Sequence, residues 1–168
     1  MHGDRYGHLI LAEPRGPVMV PEHQRQPIFG IRAAERWGDP AFVLGTTCIT
    51  GPWEMETEPM KHDFDQIICF LGGNAMNLFD FDADIELWLG EEQERHLMTT
   101  AASVFIPKGL VHCPLHFRRV GSPILFMDIS FTRVYSRRLR AADGWGPALT
   151  LEQLRERAVQ GGGPAWQG

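Results

Sequence analysis

Long hydrophobic runs are missing from this chain of 168 residues. Its apolar segments at 104–106 and 124–129 are short, whereas a membrane-spanning helix needs roughly 20 consecutive apolar residues. Residues 1–12 contain no apolar signal segment either. The sequence pattern therefore predicts no membrane-spanning helix. We expect a soluble protein of the cytoplasm with no membrane partner.

Cysteine and basic residues are scarce as well. The three cysteines, Cys48, Cys69 and Cys113, are an odd number, which does not suit a disulfide framework and agrees with a reducing compartment. Lys and Arg number 16 against 21 Asp and Glu, so the formal net charge is −5. Binding to nucleic acid requires clustered cations that contact the phosphates, and we therefore expect no nucleic-acid partner.

The composition that remains is that of an ordinary globular domain, with 43% hydrophobic and 22% charged residues. From residue 41 onward, short apolar segments alternate with turn residues, a pattern typical of an all-β sandwich or barrel. Turn signals stand at 51–52, 72–73, 90, 107–109 and 121–123. The predicted strands are 42–50, 53–58, 66–71, 85–89, 96–98, 103–106, 112–117 and 124–131.

Residues 1–40 differ from this central barrel region, which we place at residues 41–132. They are rich in Pro and Gly, which prevents long helices and predicts an extended arm. Apolar side chains in the arm would be unfavourable in water, so the arm should pack on the main body or on a second subunit. Because small sheets leave an edge that a partner usually covers, we favour a homodimer with a crossing arm.

Residues 133–168 are predicted to form a tail with one short helix. Thr150 and Gln153 fit a capping box at its start, and the helix would run to about Gln160 before the glycines at 161–163. Four arginines precede this helix. We interpret them as a solvated basic segment in preference to an anion site, and they are Arg133, Arg137, Arg138 and Arg140.

Two segments about forty residues apart carry the candidate chemistry, residues 60–66 (MKHDFDQ) and residues 107–112 (PKGLVH). In the first, His62 and Gln66 share the parity that puts side chains on one face of a strand. Four residues of straight strand nevertheless span about 13 Å, at roughly 3.3 Å per residue. The two side chains can therefore share an ion only if the chain bends at residues 63–65, where two aspartates favour a turn.

These segments resemble the two motifs of the cupin superfamily. In cupins the first motif reads H-x-H-x3-E with a glycine seven residues after the glutamate, and the second reads P-x-G-x2-H-x3-N. In this sequence the matching positions hold His62, Gln66, Gly73 and His112. The resemblance covers about residues 53–131 and implies an all-β double-stranded β-helix, the cupin jelly-roll barrel. It extends to a group of cupins with H-x-H-D-F-D-E and P-K-G-L-x-H-C-P-L, which implies no settled activity.

The departures from these motifs bear on metal binding. Met60 stands at the first histidine position, Gln66 replaces a carboxylate, and His116 stands at the asparagine position. The resemblance implies a divalent transition metal (Cu, Zn, Ni, Fe or Mn) held by His62, Gln66 and His112, completed by water or by His116. The site should bind metal more weakly than the full motif does. The Met60 thioether would favour Cu(I) if it is a ligand, and plain packing is the alternative.

Further residues are candidates for catalysis. His116 shares the parity of His112, so we predict that it faces the same cavity as a ligand, proton shuttle or hydrogen-bond donor, with a rim histidine as the alternative. Glu58 shares the parity of the first-motif ligands and is predicted to bring a general base to the cavity, and Glu56 has the same parity. Cys113 is expected to be a buried structural thiol on the opposite face from His112.

Two functions are consistent with these residues. The first is a metal-dependent cupin enzyme, such as a dioxygenase, lyase, decarboxylase or isomerase. It would act on a small oxygenated or aromatic substrate, with the metal as Lewis acid or as activator of O2 or water. The alternative is a cupin that binds a small molecule without chemistry and retains a degenerate metal site. Metal content separates the two.

Deletion of residues 1–40 tests the predicted arm. We expect the truncated chain to expose apolar surface and to aggregate, because the arm covers that surface in the intact protein. Size-exclusion chromatography with light scattering measures the outcome. A truncated protein that stays soluble and keeps the oligomeric state of the full chain would contradict the prediction.

Overall fold

The computed structural model describes residues 6–15, 29–154 and 156. Two antiparallel β-sheets pack face to face in a jelly roll, which confirms the predicted fold class. A 3-10 turn at Gly7–Leu9 precedes the sheets, and a short helix, α1 (Ala33–Trp37), follows the first strand. The strands are β1 (Phe29–Arg32), β2 (Val43–Ile49), β3 (Trp53–Glu56), β4 (Met60–Lys61), β5 (Gln66–Gly72), β6 (Ala83–Leu89), β7 (Glu94–Met98), β8 (Ala102–Ile106), β9 (His112–Val120), β10 (Ile124–Ser130), β11 (Ser136–Ala141), β12 (Gly144–Trp145) and β13 (Leu149–Thr150).

The first sheet has the strand order β1-β2-β10-β5-β8, and the second has the order β12-β11-β4-β9-β6-β7. Strand β3 also pairs with β9, and β13 with β11. Every strand that the sequence predicts beyond residue 41 is present. Strands β1, β4, β11, β12 and β13 were not predicted, because they are short or lack an apolar alternation. Among the described residues, no helix is long and apolar enough to span a bilayer.

The chain crosses from the second sheet to the first at residues 62–65, between β4 and β5. This confirms the bend predicted for the first motif. The crossing is tied to the turn before β9, where the Asp65 side chain accepts a hydrogen bond from the Lys108 amide (2.7 Å) and the Gly109 amide donates to the His62 carbonyl (2.9 Å). Gly109 has a φ of 82°, a left-handed conformation that suits glycine. The two motifs are thereby held side by side.

The core lies between the sheets and takes alternate residues from facing strands. Along β5 the side chains alternate between buried and half-buried positions, as expected for a strand with one inward face. Phe70 is fully buried, with its ring centroid 6.1 Å from that of Phe117 and 5.4 Å from that of Phe126. These aromatic contacts join both sheets, and they fix the spacing at which side chains from the two sheets meet.

Both ends of the chain contribute to the sheets. Strand β1 pairs with β2, so this part of the predicted arm lies on its own subunit. In the tail, the Gln153 amide donates to the Thr150 hydroxyl oxygen (3.4 Å) and the Thr150 amide donates to the Gln153 side chain (2.9 Å), which confirms the capping box. Residues 151–154 are helical. The predicted end of the helix near residue 160, and residues 1–5 and 16–28 of the arm, lie outside the described residues.

The tail arginines correct one interpretation. Arg137 is 3% exposed on β11, so it does not belong to a solvated basic segment. Strand β11 pairs with β4, and this pairing turns alternate residues of the tail towards the interior. Arg138 and Arg140, by contrast, form ion pairs with Asp63 and Glu91 at the surface.

Replacement of Phe70 by alanine tests the core. We expect the free energy of unfolding to fall by roughly 3–5 kcal/mol, because the substitution removes a fully buried ring and leaves a cavity between the sheets. Urea denaturation monitored by circular dichroism measures the loss. Phe79→Ala serves as the matched control, since this side chain is 81% exposed, and it should change stability by less than about 0.5 kcal/mol. Equal losses in the two variants would contradict this assignment of the core.

Candidate metal centre

A cavity of about 640 Å³ lies between the two sheets. Most of its lining is apolar and comes from both sheets, and the N-terminal segments around β1 and α1 contribute to its edge. A cavity of this volume suits a small organic molecule. The polar side chains in its lining include His62, His112, Gln66, Glu56, Asp128 and Tyr135.

The two histidines of the motifs lie against each other, with ring centroids 4.8 Å apart. His62 Nδ1 lies 2.8 Å from the carbonyl oxygen of Ser136, and His112 Nδ1 lies 3.0 Å from that of Leu110. Because a carbonyl oxygen only accepts, each Nδ1 must carry the proton, and each Nε2 keeps its lone pair. His62 Nε2 is buried and has no hydrogen-bond partner. This arrangement is the one that metal-binding histidines adopt.

Gln66 supplies a third donor atom. Its Nε2 donates to the Asp128 carboxylate at 2.9 Å, and its Oε1 is buried without a hydrogen-bond partner. The Ser130 hydroxyl donates to the other oxygen of Asp128 at 2.8 Å. Burial raises the pKa of Asp128, whereas the hydrogen bonds from Gln66 and Ser130 oppose this rise. Protein atoms surround Asp128, and its side chain lines the cavity.

Both histidines are neutral at physiological pH. Burial lowers the pKa of His62 to about 3, with a further contribution from neighbouring His112. Burial likewise lowers the pKa of His112 to about 4, and the positive charge of Arg137 adds to the effect. Neutral imidazole is the form that binds metal. The site therefore needs no loss of protons from its histidines before a metal enters.

The residues present fit a divalent transition metal. Two neutral imidazoles and an amide oxygen line one cavity, and two of these atoms are buried acceptors without partners. Within the described part of the chain, no group of three His, Cys, Asp or Glu residues is arranged to hold an ion, so an amide must complete the set. Imidazole nitrogen suits Zn, Cu, Fe and Ni, and the amide oxygen adds no negative charge.

Met60, at the first histidine position, contacts an arginine that sequence reasoning placed elsewhere. The Met60 sulfur lies 3.7 Å from an Nη atom of Arg137, which also forms an ion pair with Glu56 at 2.7 Å. Burial raises the pKa of Glu56, and the guanidinium opposes this rise. Glu56 lines the cavity, so the carboxylate at this end of the site is already bound to a fixed cation.

The prediction that His116 faces the cavity is wrong. Strand β9 carries a bulge opposite β6. Leu87 of β6 pairs with Leu115 of β9, and Leu89 pairs with His112, so β9 has one residue more than β6 between these two pairs. This bulge, at which Cys113 has a φ of 70°, reverses the facing of the residues that follow it, up to a second irregularity between Phe117 and Arg119. His116 consequently packs against Trp88 outside the cavity, at 5.1 Å between ring centroids.

Glu58 and Cys113 also lie differently from the predictions. Glu58 is exposed and does not line the cavity, because β3 ends at Glu56 and the strand parity is lost in the loop that follows. Cys113 is buried, as expected, and burial raises its pKa well above the ordinary value. It nevertheless lines the cavity with His112, since the bulge turns it inward.

Sequence reasoning missed three residues of the site. Asp128 could have been found, because a carboxylate inside the apolar segment 124–129 shares parity with the inward-facing Phe126. Tyr135 contacts the His62 ring at 5.1 Å between centroids, and Ser136 orients the same ring through its carbonyl. No local pattern marks either residue, since Tyr135 lies just before β11, Ser136 begins that strand, and both are distant from His62 along the chain.

No protein-family model matches this chain, and no curated protein does. Among solved structures, the chain is similar to a sugar phosphate isomerase from a cupin superfamily of Silicibacter pomeroyi, with 15% identity, a TM-score of 0.42, and coverage of 74% of this chain and 81% of that one. It is also similar to the polyketide cyclase RemF from Streptomyces resistomycificus, with 16% identity, a TM-score of 0.42, and coverage of 83% and 80%. A recombinant oxalate oxidase in complex with glycolate shows 11% identity, a TM-score of 0.49, and coverage of 77% and 62%. At these identities the likeness concerns the fold alone.

The depressed histidine pKa values predict an acid-sensitive fold for metal-free protein. The unfolded chain takes up protons near pH 6.5, whereas folded His62 and His112 stay neutral down to about 3 and 4, so stability falls as the pH drops below 6.5. We expect a loss of about 1.4 kcal/mol per pH unit for each histidine. Urea titrations with EDTA at pH 7, 6 and 5 measure it.

The variant His62→Gln/His112→Gln isolates this effect from the titration of the carboxylates. It should lose less stability between pH 7 and pH 5 than the wild type loses. His96→Gln, which removes an exposed imidazole, should behave as the wild type does. The same pH slope in all three proteins would show that neither cavity histidine is held neutral by the fold.

Proposed function

We propose that the protein is a metal-dependent cupin enzyme acting on a small organic substrate, with a divalent transition metal held by His62, His112 and Gln66. One observation carries the proposal, namely that the unpartnered buried atoms His62 Nε2 and Gln66 Oε1 line one cavity together with His112. A buried acceptor without a partner costs about 1–3 kcal/mol, so two in one cavity favour an occupant that takes lone pairs.

Such an ion supplies Lewis acidity at a substrate oxygen, or activates O2 or water. The chain's own residues do the rest. The apolar cavity lining excludes bulk water and accommodates an aromatic or oxygenated molecule. Burial raises the pKa of Tyr135 well above its ordinary value, so its hydroxyl keeps the proton and can donate a hydrogen bond to a substrate oxygen.

The sequence predicted Glu58 as a carboxylate of the cavity, and in the structure Glu56 lines the cavity instead. Its ion pair with Arg137 makes it a fixed acceptor for hydrogen bonds from a substrate hydroxyl. The pair as a whole is close to neutral, so it orients a ligand without a strong net field. We retain the homodimer and the cytoplasmic location as parts of this proposal.

A second candidate is a binding protein without chemistry, and the surroundings of Met60 favour it. Where the cupin motif has its first histidine, this chain has a thioether in contact with the Arg137 guanidinium. A fixed cation near the histidines opposes the approach of a divalent ion. The Glu56 carboxylate at 2.7 Å offsets that charge, which is why we rank the metal-dependent enzyme first.

Metal content decides between the two candidates. We expect near one transition-metal ion per chain in wild-type protein purified without an affinity tag, and loss of that metal in His62→Ala/His112→Ala. Plasma mass spectrometry measures the content, and circular dichroism confirms that the variant is folded. The matched control His8→Ala/His96→Ala removes two exposed imidazoles and should retain the metal. A folded wild type without metal, or equal metal in all three proteins, would contradict the enzyme proposal and favour the binding protein.

A further inference from the structure

Behind the candidate metal centre lies a hydrogen-bond network of three side chains, Gln66, Asp128 and Ser130. Gln66 Nε2 donates to Asp128 Oδ2 at 2.9 Å and approaches the Ser130 hydroxyl at 3.5 Å. The Ser130 hydroxyl donates to Asp128 Oδ1 at 2.8 Å. Both carboxylate oxygens therefore have a donor, and Ser130 is fully buried beneath them. The network joins β5 to β10, which pair residue 66 with residue 130.

The chemistry of an amide makes this network directional. A glutamine side chain can turn either its oxygen or its nitrogen towards a given point, and only its neighbours decide which. A carboxylate is an acceptor at both oxygens, so it accepts a hydrogen bond from the Nε2 amide group and repels the Oε1 oxygen. With Nε2 fixed against Asp128, Oε1 must point the other way, where it is buried without a partner.

We propose that Asp128, supported by Ser130, is a positioning residue that holds the Gln66 amide with its oxygen towards the metal. This inference rests on the proposed function, because it assigns the residue that makes Gln66 usable as a ligand. Gln66 stands where the cupin motif has a carboxylate, which would need no such orientation since both its oxygens are equivalent. The exchange to an amide creates the need for an acceptor behind it, and Asp128 supplies that acceptor.

Asp128 occupies an unusual position for a residue that serves the fold alone. It shares parity with the buried Ile124 and Phe126 on β10, and its other neighbours along the cavity are mostly apolar. A carboxylate there is unfavourable relative to an apolar side chain of similar size. Its hydrogen bonds go to Gln66 and Ser130. The contact with Gln66 connects it directly to the candidate ligand set.

A double-mutant cycle at positions 66 and 128 tests the proposal. The four proteins are wild type, Asp128→Asn, Gln66→Glu and the double variant Gln66→Glu/Asp128→Asn. Co²⁺ affinity is measured for each metal-free protein by visible absorption and by competition with Zn²⁺, and thermal unfolding monitors the fold. Glu86→Gln is the matched control, because Glu86 is a largely buried carboxylate that binds Arg95 and Arg118 away from the cavity.

We expect Asp128→Asn to weaken Co²⁺ binding in both backgrounds, and by a larger factor in the wild-type background than in Gln66→Glu. In the wild-type background, an asparagine can present either a donor or an acceptor to Gln66, so the amide loses its fixed orientation and Co²⁺ binding weakens by about 10-fold or more. In the Gln66→Glu background, the two carboxylate oxygens at position 66 are equivalent and need no orientation, so Asp128→Asn removes only a nearby negative charge and weakens binding by a smaller factor. Glu86→Gln should leave the affinity unchanged.

The possible outcomes separate this inference from the proposed function. Wild-type protein that binds Co²⁺, together with an Asp128→Asn effect that is no larger in the wild-type background than in the Gln66→Glu background, overturns the positioning role and leaves the metal site intact. Wild-type protein that binds neither Co²⁺ nor Zn²⁺ overturns both. If Asp128→Asn does not fold, Ser130→Ala in the wild-type and Gln66→Glu backgrounds carries the test, because it removes the donor that holds Asp128 and keeps the charge. In that case, a Ser130→Ala effect of equal size in both backgrounds overturns the inference.

Discussion

The crossing at residues 62–65 is the constraint on which the site depends. It carries the chain from one sheet to the other, and hydrogen bonds from the Lys108 and Gly109 amides fasten it to the turn that precedes β9. Because His62 lies at the start of this crossing, Gln66 at its end and His112 just after the fastened turn, the three side chains meet in one cavity. Without the crossing, straight-strand geometry would separate the first two by about 13 Å.

Charge around the cavity is distributed differently from what the motif comparison implies. The carboxylate that the cupin motif places among its ligands is absent, but Asp128 stands directly behind Gln66 and faces the same cavity. At the other end, Glu56 and Arg137 form a buried pair beside Met60. The candidate metal ligands are therefore neutral side chains. The charged side chains contact these ligands or their neighbours and orient them.

Several features follow from the local sequence, and these were predicted. The bend at residues 63–65 follows from two aspartates whose side chains suit turns, and the capping box of Thr150 and Gln153 follows from their spacing. The longer strands follow from apolar segments separated by turn residues, although their ends shift by a few residues. In each case the determining interactions lie within a few positions along the chain, so the sequence pattern alone contains them.

The sequence by itself determined the jelly-roll class, the bend and the identity of three candidate ligands. The tertiary structure alone decided which other side chains join them. An extra residue in β9 turns His116 away, and the pairing of β11 with β4 buries Arg137 next to Glu56. Asp128 meets Gln66 because β10 pairs with β5. Contacts of this kind depend on the register between strands that are distant in sequence. A register shift of one residue moves each side chain of a strand to the opposite face of the sheet, so the local pattern cannot specify these contacts.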